Sequence, residues 1–212
     1  MEKIDGLPQH YVYSNQVIDF ITIVAQTCRF LEHAYEFQPK EVVQNLLKLL
    51  SSLYAKTICL DTPEEELEGY LEQFVFENDY NAVAACISDA LGEHDAYLEL
   101  LHENRNLTDE PTVAYISEQV ADIYQEIKDL AGNYQTADIF VMAQALTAAR
   151  QAFTEHWGTK LLNALRELHH IACTVTWEDD EHEHEHAHTH HDDDCNCNDE
   201  LMEGLFDFYR NE

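Results

Sequence analysis

Apolar residues recur three and four positions apart along most of the first 175 residues, which is the period of an α-helix and not of a strand. From Ser14, which suits an N-cap, one stripe runs through Val17, Phe20, Val24, Cys28, Leu31 and Tyr35. Pro39 ends that run and fits the first turn of the next helix. That next segment, "KEVVQNLLKLLSSLYAKTICL", is apolar around much of its circumference, so it is expected to be the most buried helix. In "DTPEEELEGYLEQFVF", Thr62, Pro63 and Glu65 fit N-cap, first helical position and capping-box acid, which predicts a short helix. "ENDYNAVAACISDALGEH" predicts another, capped by Asn78 or Asp79 and ended by Gly92. Between Glu93 and Pro111 the pattern fades into a loop around His94, with a short extended piece at "AYLELL".

The clearest periodicity follows. Ile116, Val120, Ile123, Ile127, Leu130 and Tyr134 define one long amphipathic helix. Ile139, Ala143, Leu146, Ala149, Phe153 and Trp157 define a second, and Leu161, Leu165, Leu168 and Ala172 a third. Short connections between them predict antiparallel neighbours, and hence an all-α helical bundle of about six or seven helices over residues 1–177. Residues 178–198 break the pattern altogether. After them, Leu201, Leu205 and Phe208 restore an apolar stripe, so residues 199–212 read as a short helix too marginal to stand alone.

Three stretches of the bundle, "YSNQVIDFITIVAQTCRFLE", "ADIYQEIKDL" and "FTEHWGTKLLNALRELHH", resemble an uncharacterised bacterial family, domain of unknown function 5063, over roughly residues 11–172. The resemblance implies a helical cytoplasmic protein and supplies no catalytic motif to carry over. The tail lies outside the resembling segment.

Charge sharpens the division of the chain. With 11 Lys+Arg against 42 Asp+Glu, the formal charge of −31 repels nucleic acid and anionic membrane surfaces. Residues 178–212 hold 14 acids and one base, a net of −13. No stretch approaches the roughly 20 apolar residues of a membrane span, and "MEKIDGLPQHYVYS" lacks the basic-then-apolar order of a secretory signal. A cytoplasmic chain with reduced thiols is expected. Cys28, Cys59, Cys86 and Cys173 fall within apolar helical patterns, where cysteine packs as a small hydrophobe.

Phosphate-cradling glycine loops, a nucleophile elbow, His-Glu-x-x-His and Cys-x-x-Cys are all missing from the sequence, so the chain reads as non-enzymatic. Asp122, Glu126 and Asp129 share a helix face and could hold a divalent ion, but such a row is ordinarily a solvated charge stripe. His156, beside Trp157 and Gly158, reads as a helix C-terminal residue before a turn, the alternative being a base facing Glu118 or Asp122 in an enzyme site. His169 and His170 point about 100° apart on a helix and cannot both chelate one ion. They suit the negative end of the helix dipole.

The tail is where the donors accumulate. Its composition offers no core, so disorder is expected. In an extended backbone His182, His184, His186, His188 and His190 line one side, with Glu181, Glu183 and Glu185 opposite; His191, Cys195 and Cys197 follow. Imidazole and thiolate together suit zinc, with nickel and copper as the alternatives. The surrounding carboxylates concentrate cations and make protons compete with metal for the imidazoles. The leading expectation is a bundle that binds or buffers transition metal through this tail. The rival is an adaptor that captures a protein partner at Leu201, Leu205 and Phe208, with the tail as a spacer.

Overall fold

The structure, a computed structural model, describes residues 10–61, 70–99 and 112–177. Among the described residues there are six α-helices and one pair of short strands: α1 (Asn15–Glu32), α2 (Pro39–Ile58), α3 (Glu77–Leu91), β1 (Ala96–Glu99), β2 (Thr112–Tyr115), α4 (Ile116–Tyr134), α5 (Ile139–Ala152) and α6 (Gly158–Thr174). The chain is an all-α bundle, as the periodicity predicted. The expected tail and terminal helix lie outside the described residues, as do Thr62, Pro63 and Glu65.

Local signals account for the helix starts. Ser14 Oγ accepts from the Val17 N–H at 3.4 Å and opens α1. Pro39 is the first residue of α2, where Glu41 reaches back to the Gln38 N–H at 3.0 Å. Asp79 does the same for Phe76 N–H at 3.1 Å, so it acts three residues inside α3 instead of capping it. Asp138 caps α5 through the Phe140 and Val141 N–H groups. The α1 stripe is buried as far as Leu31, whereas Tyr35 falls in a 3-10 turn and is exposed.

The centre of the bundle is α4, not α2. It packs against α1, α3, α5 and α6 and buries nine residues against six for α2, whose Ile58 is exposed. Hydrophobicity around a helix reports how much it could bury; how many neighbours surround it is a tertiary matter.

Three further departures shape the molecule. Residues 70–76 cross α4 as irregular backbone, not as a helix. The anticipated extended piece forms β1, and it has an unanticipated partner: β2 pairs antiparallel to it, with Ala96 opposite Tyr115 and Glu99 opposite Thr112. Finally, α5 and α6 are not side by side at a Gly158 turn. They continue one another through a π-helical turn, Phe153–Trp157, and both pack on α4. The Gly158 N–H bonds back to the Phe153 carbonyl, which stands 2.4 Å from where a Cβ at 158 would lie, so glycine is what lets the two helices join. The freed geometry turns Trp157 inward, where its indole N–H donates to the Ala149 carbonyl at 3.1 Å.

Candidate functional site

The irregular segment 70–76 owes its shape to two side chains of α4. Asn133, buried in the core, accepts from the Glu72 N–H at 2.9 Å and donates to the Glu72 carbonyl at 2.8 Å, so one amide side chain stands in for a neighbouring strand. Asp129 Oδ1 accepts from the N–H groups of Phe74 at 2.6 Å and Val75 at 3.0 Å. Backbone groups claimed in this way cannot enter a helical ladder, which is why residues 70–76 are not helical. Phe74 lies flat over Gly132, whose missing Cβ leaves the ring its room; a Cβ there would sit 2.3 Å from it.

Beneath this segment is a groove of about 420 Å³, within the range of small-ligand clefts. Alanines 145, 148, 149 and 152 of α5 form one side; Gln125, Glu126, Asp129 and Asn133 of α4 form the other. The titratable groups in its lining are carboxylates. Glu126 is held above the usual carboxylate range, chiefly by burial and then by the neighbouring charge of Asp129, with His156 opposing.

The acid row on α4 is therefore not a solvated stripe. Asp129 holds backbone, Glu126 faces the groove, and Asp122 accepts from the Tyr80 hydroxyl at 3.1 Å and is paired with Lys160. Tyr80 is pushed up to about 12 by its burial and by the charge of Asp122. His156 is on the surface, 70% exposed, with Nε2 3.8 Å from Glu155. The structure thus gives Asp122 to Lys160 and Tyr80 and places His156 beside Glu155.

A polar residue with no role read from sequence holds the other end of α4. Asp95 is buried, and its carboxylate accepts from the Ser117 N–H at 2.8 Å and the Ser117 hydroxyl at 2.7 Å. The β1/β2 register sets this up, because one step beyond Ala96↔Tyr115 lies Asp95 opposite Ile116, whose N–H bonds to the Asp95 carbonyl. A carboxylate is thereby fixed at the positive end of the central helix.

The cysteines divide. Cys28 is buried, and burial pushes its thiol up to about 12, so it packs as a hydrophobe as expected. Cys59 and Cys173 are exposed, against the expectation of core positions, and Cys86 is intermediate. Cys59 ends α2, and Cys173 lies one turn beyond His169 on the outer face of α6, with Sγ 3.7 Å from His169 Nε2. The His-x-x-x-Cys spacing was legible in sequence, but the apolar residues around it give the same pattern as a core-facing cysteine. His182, His184, His186, His188, His190, His191, Cys195 and Cys197 lie outside the described residues. Among the described residues no three His, Cys, Asp or Glu side chains are grouped to hold a metal, and no helix is long and apolar enough to cross a membrane.

These features define a helical-bundle protein built around one central helix. The chain belongs to the DUF5063 family, a domain of unknown function, whose model matches residues 11–174. Among solved structures, the crystal structure of protein BF1032 from Bacteroides fragilis is similar, with 30% identity and a TM-score of 0.69 over 79% of this chain and 98% of that one. No curated protein is found to match the chain.

Proposed function

We propose that the protein is a non-enzymatic bundle that binds or buffers transition metal, zinc foremost, through His182, His184, His186, His188, His190, His191, Cys195 and Cys197. The observation that carries this reading is chemical: six imidazoles and a Cys-x-Cys pair fall within residues 182–197, where Ala187 is the one apolar residue apart from the two cysteines themselves. Solvation requires acids alone; it does not require imidazole and thiol donors. Eight donors suffice for about two tetrahedral zinc sites. Calorimetric titration of the reduced protein with zinc should therefore show about two ions that depend on the tail, and their binding should weaken below neutral pH as protons claim the imidazoles. A chain lacking residues 181–197 should lose both sites; if it binds as the full chain does, the tail is not the ligand.

The adaptor reading is favoured by the spacing of Leu201, Leu205 and Phe208, which is that of an apolar helical stripe. On that reading Leu205→Asp with Phe208→Asp abolishes partner capture and leaves zinc uptake unchanged. Amide hydrogen exchange over residues 201–209, with and without zinc, separates the two. Protection that rises with zinc favours the metal reading, and exposure under both conditions favours the adaptor.

A further inference from the structure

We infer that His169 and Cys173 form a transition-metal site of their own on the surface of α6, spaced for a tetrahedral ion such as zinc and independent of the tail donors. The geometry fits such an ion. A zinc ion with Zn–S of about 2.3 Å and Zn–N of about 2.05 Å at a tetrahedral angle sets its two donors about 3.6 Å apart, whereas a linear ion at the same bond lengths would need about 4.3 Å. In the structure the Cys173 thiol and the His169 imidazole are hydrogen-bonded, Sγ to Nε2, at 3.7 Å, so an ion that displaces the shared proton meets both donors at the spacing it needs. The two side chains meet because residues four apart stack on one helix face. Both are exposed, so an ion can reach them without unfolding the helix.

Position adds to geometry. The pair occupies the last turns of α6, which ends at Thr174 with the Val175 N–H bonded to the Ile171 carbonyl. Helix C-termini carry partial negative charge and favour a cation, and a chain of net charge −31 draws cations to its surface. Two protein donors leave the other tetrahedral positions to water or an incoming ligand, which makes an exchangeable site and not a structural one. His170 points about 100° away and is no part of it.

Cobalt(II) is the probe, because a cobalt–thiolate bond gives a near-ultraviolet charge-transfer band. The chain is kept full length, with every tail donor named above replaced, His→Ala and Cys→Ser, and is titrated under reducing conditions. The band should develop to one cobalt per chain. It should vanish with Cys173→Ser, weaken at least tenfold in affinity with His169→Ala, and persist with His170→Ala or Cys59→Ser. Far-ultraviolet circular dichroism matching the parent shows that a lost band reports a lost donor. Absence of the band in the tail-substituted chain, its survival through Cys173→Ser, or indifference to His169→Ala would each overturn the site. The outcomes separate from the tail reading: zinc uptake by the unsubstituted chain alone leaves the tail standing and removes the pair, and a cobalt band with no tail-dependent uptake does the reverse.

Discussion

Asp95 shows how much a single buried polar residue decides here. Its carboxylate satisfies both the N–H and the hydroxyl of buried Ser117 at the head of α4. Asp95→Ala would orphan both donors and should cost about 2–4 kcal/mol, combining a lost cap with unsatisfied buried groups. Asp95→Asn keeps an acceptor and should cost less. Urea denaturation measures both, and an alanine variant within error of wild type would mean that water replaces the cap at no cost. Glu126 carries the opposite sign. Its folded-state carboxyl titrates above the ordinary 4.5, so the folded protein holds that proton more tightly than the unfolded chain does. The resulting stability is present below 4.5 and is lost as pH rises through the raised value. Glu126→Gln should therefore raise Tm near neutral pH, with the gain disappearing in acid. A gain that is equal at both pH values would trace instead to packing.

At the scale of elements, the joints are where ordinary rules reverse. Glycine to alanine inside a helix normally gains about 1 kcal/mol. At Gly158 the added Cβ would meet the Phe153 carbonyl at 2.4 Å, and backbone overpacking of this kind costs about 1–3 kcal/mol, so the clash wins. Gly158→Ala should destabilise the protein and alter the near-ultraviolet signal of Trp157 as the π turn shifts; an increase in stability would show that the turn relaxes freely. Between α4 and α5 the rule reverses the other way. Ala137 has φ +58°, a left-handed conformation that costs a non-glycine residue about 1–2 kcal/mol. Ala137→Gly should therefore stabilise by up to about 1 kcal/mol after the extra chain entropy of glycine is discounted. Thermal melts decide the sign.

For the whole molecule, the apolar stripes of the bundle are complete before residue 178. A chain ending at Trp177 should keep cooperative melting and its helical content per residue; loss of the transition would place the terminal residues in the core. The helical class, most helix boundaries and the donor-rich tail were legible in the sequence, because periodic burial and local composition are written in neighbouring residues. What the tertiary structure alone decided is where the polar groups go. Asn133 takes the backbone of Glu72, 61 residues away, and Asp129 that of Phe74, 55 away, so residues 70–76 are not helical. Asp122 goes to Lys160 and Asp95 to Ser117 for the same reason. Hydrophobic periodicity states which face of a helix is buried without stating what it meets, and a hydrogen bond depends on atoms that only packing brings within 3 Å or so of each other.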